Sequence, residues 1–150
     1  MKKENAGEQG AVVISACLLG RNCKYNGGNN FNERVVEFLK DKRVIPVCPE
    51  ELAGLGIPRP SIEIVDGILR RKDGTSVDNA VRDAVEQILT QLHGQEISCA
   101  VLKSRSPTCG VRQIYDGTFS GRLIDGAGVL ARALMDAGYT VIDAEDIFTT

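Results

Sequence analysis

Short apolar runs and amphipathic stretches alternate along the chain, and their spacing predicts the elements. "AVVIS" (11–15), "VIPV" (44–47) and "SCAVLK" (98–103) read as buried strands. Pro46 places the second of these at a sheet edge or near a strand's start, because proline cannot donate to a ladder. "NERVVEFLKDK" predicts a helix, with Val35, Val36, Phe38 and Leu39 behind Asn32 as N-cap. In "SVDNAVRDAVEQILTQLHG" the residues Val77, Val81, Ala84, Val85, Ile88 and Leu92 recur at three-and-four spacing, and Gly94 can stop that helix. "GVLARALMDAG" predicts a helix ending at Gly138, and "TVIDAE" a last short strand. "IEIVDGILRRKDGT" has the Asp-Gly turn chemistry of a hairpin. "CPEELAGLGIPRP" reads as a structured loop with one helical turn, and "QIYDGTFSGRLIDG" as a loop carrying short extended pieces. Strands that alternate with helices predict an α/β fold: three layers, α/β/α, around a mostly parallel, Rossmann-like sheet, with a β-hairpin insertion. Residues 1–10 read as a mobile polar leader, and 11–150 as a single domain.

Composition narrows the function. The 150 residues are 43% hydrophobic and 25% charged, with a net charge of −2. That is an ordinary globular balance, with no global basic field to hold a nucleic acid polymer. The local patch Arg70-Arg71-Lys72 reads as a solvated strand end. Trp is absent, so base-stacking platforms are not advertised. No apolar run approaches the ~20 residues of a membrane span. "ISAC" (14–17) imitates a lipoprotein cleavage box, but only Ala11 to Ile14 are continuously apolar before it, against roughly 7–15 residues in an export signal. A cytoplasmic location is therefore expected, with the chain a monomer or small homo-oligomer.

The cysteines carry the chemistry. There are 5, at positions 17, 23, 48, 99 and 109, an odd number that argues against a disulfide framework. Functional groups of open parallel sheets gather beyond the strands' carboxyl ends. Cys17 follows the first strand, Cys48 the second, and Cys109 sits in the loop after "CAVLK", so the three thiols are expected to meet at one sheet edge. Cys99 starts its strand, at the opposite edge, and reads as a small buried hydrophobe. His93, the only histidine, reads as a surface residue near a helix end. Two metal readings stay open on these residues. A structural zinc site wants four ligands, with Cys23 as the fourth; an iron–sulfur cubane held by three thiolates keeps one iron open.

Polar neighbours surround these cysteines. Glu50 and Glu51 follow Cys48; Lys103, Ser104, Arg105 and Ser106 precede Cys109. A carboxylate beside a metal can act as general base toward water. A hydroxyl can hold a substrate oxygen or relay a proton, and Arg59 can bind an anion or a polar ring edge. Glu50 as a helix N-terminal acid, and Ser104 and Ser106 as turn formers, are the plainer alternatives.

"ISACLLGRNCKYNGGNN", "PVCPEELAGLGIPRPSIEI", "VLKSRSPTCG" and "IYDGTFSGRLIDGAGVLARAL" together resemble a bacterial family long catalogued as a domain of unknown function, some of whose members are iron–sulfur thiouracil desulfidases. The likeness runs from about Ile14 to the end of the "GAGVLARAL" helix and is to the short, single-domain form. It implies a [4Fe-4S] cluster held by Cys17, Cys48 and Cys109, with one iron free and Cys23 not a ligand. It implies non-redox, hydrolytic removal of sulfur from a thiolated pyrimidine base, with sulfide leaving on the open iron. Glu50 is the expected acid or base and Ser104 the positioning or relay hydroxyl, with Arg59, Lys103 and Ser106 on the substrate. The chain departs from the family at Asn26, where an acidic residue is frequent. The rival readings are a zinc or sulfide carrier that adds Cys23 to the same thiols, and an interaction protein whose cysteines are incidental.

Overall fold

A computed structural model describes residues 10–147. Four parallel strands form the central sheet in the order β2-β1-β5-β8. They are β1 (Ala11–Ser15), β2 (Val44–Val47), β5 (Ile97–Leu102) and β8 (Val141–Asp143). β1 is central and pairs with β2 (Val13 opposite Ile45) and with β5 (Val13 opposite Ala100). β2 is an edge strand, as Pro46 requires.

Side chains alternate across a strand, and here each face meets a separate apolar layer. Ala11, Val13, Ala100 and Leu102 pack with Val81, Val85, Ile88 and Leu92 of α3 (Asp78–Leu92) and with Leu130 and Leu134 of α4 (Val129–Asp136). Val12, Ile14, Cys99 and Val101 pack on the other face with Val35 of α1 (Glu33–Phe38), Leu39 and Ile147. That is the expected α/β/α layering. Cys99 is buried in the second layer. His93 caps α3 at its exposed C-terminal end.

Local chemistry sets most boundaries. The Asn32 side chain accepts the Val35 N–H and starts α1. α1 is shorter than the apolar pattern predicts: it ends at Phe38, and Asp41 adopts φ 66. Leu39 nevertheless stays buried. The hairpin of β3 (Ile62–Val65) and β4 (Ile68–Arg71) turns on Asp66 and Gly67, both at positive φ, which matches the twist of the flanking strands. α2 (Pro49–Leu52) is the single turn expected after Cys48, with proline at its first position. "QIYDGTFSGRLIDG" is more ordered than expected: β6 (Gln113–Tyr115) and β7 (Leu123–Asp125) form a second antiparallel hairpin. The leader expected over 1–10 lies outside the described residues except for Gly10, which is buried against Ser98.

Candidate functional site

The carboxyl ends of β1, β2 and β5 open into a cavity of about 590 Å³, lined by Cys17, Cys23, Cys48 and Cys109. Cys17 rides a 3₁₀ turn, Ala16–Leu19, that continues β1. Cys48 is the residue before α2. β5 exits beside β1, because the Lys103 N–H donates to the Ser15 hydroxyl at 2.9 Å. The chain then bends through Arg105, at φ 65, into the segment that carries Cys109.

That segment is held from two sides. The Ser106 hydroxyl accepts the N–H groups of Thr108 (3.1 Å) and Cys109 (3.0 Å), and the Gly110 N–H closes on the Ser106 carbonyl. On the other side the first N–H groups of α4 need acceptors. Val129 donates to the Pro107 carbonyl at 3.0 Å, and Leu130 to the Thr108 carbonyl at 2.8 Å. Gly128 makes this docking possible: a Cβ there would lie 2.4 Å from the Thr108 carbonyl carbon.

Burial governs the thiols. Cys109 is 5% exposed. Desolvation pushes its pKa up to about 12, with nearby Cys17 and Cys48 adding to the rise and hydrogen bonds from Ser15 and Thr108 opposing it. Burial also raises Cys17, against the Asn30 amide, which donates to its Sγ at 3.3 Å, and the charge of Lys103. Cys23 is pushed up to about 12 by burial and then by Cys48. Four thiols thus line one cavity, each facing at least one other of the set. A cluster with three protein ligands suits Cys17, Cys48 and Cys109, which surround a shared space and have hydrogen bonds aimed at two of the sulfurs. A closer donor group among the described residues is a different one: Cys23, Cys48 and Glu51, whose ligand atoms lie within 4.8 Å of one another.

Glu50 stands beside the thiols. Its Oε1 meets Arg59 Nε at 3.2 Å and an Arg59 terminal nitrogen at 3.1 Å. Its Oε2 accepts the Thr108 hydroxyl at 3.2 Å. Arg59 is buried, and its remaining contacts are the carbonyls of Gly56 and Cys23, both at 2.9 Å. Four of its five N–H donors are therefore engaged within the protein. Lys103 Nζ lies 3.1 Å from the Ser104 carbonyl oxygen and 3.4 Å from its hydroxyl. Ser104 is buried at the boundary between this cavity and a smaller one, about 350 Å³, beside Asn29, Asn30 and Glu145. All five expected polar residues line the main cavity.

Several residues escaped the sequence reading. Ser15 reads as a strand end, Asn30 as loop composition and Thr108 as part of a turn, yet Asn30 donates to the Cys17 sulfur, Thr108 donates to Glu50, and Ser15 lines the cavity. Tyr25, Tyr115 and Phe119, three of the seven aromatics of the chain, also line the cavity. Lys72, expected in a solvated strand end, lines it as well. Glu63 is buried, and its Oε1 accepts the N–H groups of Gly117 (2.9 Å) and Phe119 (3.1 Å), tying the second hairpin to the first.

The sequence profile of the 2-thiouracil desulfurase family matches residues 12–146. An uncharacterised protein of Bacillus subtilis, YbbK, is 33% identical over 146 residues, covering 91% of this chain and 97% of its own. A solved structure of a [4Fe-4S]-dependent thiouracil desulfidase, TudS, superposes with a TM-score of 0.86 at 29% identity, covering 93% of each chain. No described helix is long and apolar enough to cross a membrane.

Proposed function

The chain belongs to the 2-thiouracil desulfurase family, and from that premise we propose that it hydrolyses the carbon–sulfur bond of a thiolated pyrimidine base, such as thiouracil, with a [4Fe-4S] cluster as cofactor. One observation carries this reading: three thiols from three adjacent strand ends line one cavity together with a braced carboxylate. Cys17, Cys48 and Cys109 would hold the cluster, which supplies a thiophilic Lewis acid with one iron not taken by the protein.

The remaining chemistry belongs to the side chains. The net change exchanges water for hydrosulfide: a C–O bond forms at the ring carbon, the C–S bond breaks, and no electrons are gained or lost. Glu50 takes the proton of the attacking water at Oε2. Arg59 fixes the carboxylate through Oε1 and so aims Oε2 at the cavity, a positioning task in place of the expected substrate contact. Ser106 likewise shapes the Cys109 segment through its hydroxyl. Lys103 and the Ser104 hydroxyl form a polar pair that can orient the substrate oxygen by hydrogen bonding. Tyr25, Tyr115 and Phe119 offer faces for a flat ring and exclude water. Five unpaired cysteines support a reducing, cytoplasmic setting.

The test is anaerobic purification or reconstitution, with iron and acid-labile sulfide counted per chain and sulfide release followed with 2-thiouracil. About four iron and four sulfide per chain, with uracil and sulfide formed in equal amounts, is the expected result. A fully loaded cluster that releases no sulfide from any thiolated pyrimidine overturns the activity. Failure of zinc-free protein to take up iron and sulfide on anaerobic reconstitution overturns the cofactor.

A further inference from the structure

Cys23 takes no part in that chemistry, yet it is 2% exposed and sits against Cys48. We infer that Cys23, Cys48 and Glu51 form a second metal site, for a single thiophilic divalent cation such as zinc, that shares Cys48 with the cluster and therefore excludes it. The inference rests on Cys48 being a cluster ligand only for the exclusion, not for the site itself.

The donor geometry suits one ion. The Cys23 and Cys48 sulfurs and a Glu51 oxygen all lie within 4.8 Å of one another. Two sulfurs on one tetrahedral zinc, each bonded at about 2.3 Å, stand about 3.8 Å apart. Closing the group on an ion therefore needs movements of at most about an ångström. Three protein donors leave a fourth position for water.

The surroundings are those of a ligand set. Arg21 holds one Glu51 oxygen at 3.0 Å and so fixes the carboxylate beside the thiols. The buried Arg59 binds the Cys23 carbonyl at 2.9 Å and fixes the backbone that presents this sulfur. Outer contacts of this kind orient ligands. The charges also balance. Two thiolates and a carboxylate carry three negative charges, a divalent cation neutralises two, and the Arg21 guanidinium matches the third. Glu51 and Arg21 are 33% and 56% exposed, so the corner opens to solvent and an ion can enter. Zinc in this corner withdraws the Cys48 thiolate, and a cluster then lacks one of its three anchors.

The test uses reduced, metal-free full-length chain, titrated anaerobically with zinc alone and with cobalt as a spectroscopic substitute. One equivalent should bind, and cobalt should show thiolate charge-transfer absorption. C23S should remove that absorption. E51Q, on the exposed side and mild to the fold, should weaken zinc at least tenfold. C109S should leave zinc affinity within about twofold, because Cys109 is not in the corner. One equivalent of zinc should block iron and sulfide loading of the wild type but not of C23S. Zinc binding that is lost in C109S and kept in C23S, or no stoichiometric zinc at all, overturns the inference. Failure to build a cluster in zinc-free wild type overturns the cofactor reading instead and leaves the zinc titration standing.

Discussion

Gly128→Ala is the most direct test of how the Cys109 segment is held. Gly128 has φ −69 and ψ 166, a conformation alanine adopts without strain, so any cost arises from the close approach alone. The added methyl would sit 2.4 Å from the Thr108 carbonyl carbon, 2.6 Å from its oxygen and 2.7 Å from the Cys109 nitrogen. These are backbone atoms, and ordinary contact begins near 3.4 Å, so the segment must retreat by about an ångström. Overpacking of this kind costs about 1–3 kcal/mol. The retreat also stretches the bonds from Gly128 N to Gly110 O and from Leu130 N to Thr108 O, both 2.8 Å. Losing one adds about 1 kcal/mol. The total is about 2–4 kcal/mol, a melting temperature roughly 5–15 °C lower in a chain of this size. Gly126→Ala is the control, since its methyl meets only the Ile114 side chain, at 3.2 Å. Thermal melts of both metal-free variants, followed by anaerobic iron counts, decide the matter. G128A should melt low and load poorly, while G126A should stay within about 1 kcal/mol of wild type. If G128A melts with G126A and carries full iron, the docking of α4 does not hold Cys109.

Cys109→Ala should lose the iron while Cys99→Ala, in the far apolar layer, keeps it; retained iron in C109A removes Cys109 from the ligand set. Glu50→Gln should load fully and lose turnover by at least about 100-fold; near-normal sulfide release would place the base elsewhere. Arg59→Met should destabilise the chain by about 3–5 kcal/mol in a urea titration, because it strands the Glu50 charge and two carbonyls; a loss under 1 kcal/mol refutes the brace. Metal-free chain should lose stability as pH rises from about 9 toward 12. Cys109 has a folded pKa raised from 9.0 to about 12, so its contribution is complete below 9 and fades through that window. C109S should flatten the decline seen in pH-dependent melts, and an unchanged slope would assign it to other groups.

Much of the site is legible from strand ends alone. "AVVIS", "VIPV" and "CAVLK" identify three parallel strands, and the carboxyl-end rule then brings Cys17, Cys48 and Cys109 to one place. The α3 period and the Asp66-Gly67 turn are equally direct, since each depends on neighbours in sequence. The early end of α1 was not legible, because Leu39 continues the apolar pattern: periodicity reports burial, and Leu39 is buried without being helical. The β6–β7 hairpin was only half visible, for its strands are three residues long and Ile124 faces solvent at 45%, which leaves no alternation to read. Arg59 stands in the same motif as Glu50, yet nothing in that motif says that one grips the other. Long polar side chains choose partners by tertiary proximity, which local sequence does not encode.

The parallel order of β2, β1 and β5 has a consequence for the chain's own history. Cys17, Cys48 and Cys109 come together only once the two pairings made by β1 have formed, and such long-range closures are the slow events of folding. Synthesis runs from the N-terminus, so Cys17, Cys23 and Cys48 leave the ribosome long before Cys109. In that interval three of the four cavity thiols exist without the fourth. Assembly of β5 onto β1 is the step that ends that interval and completes the thiol set.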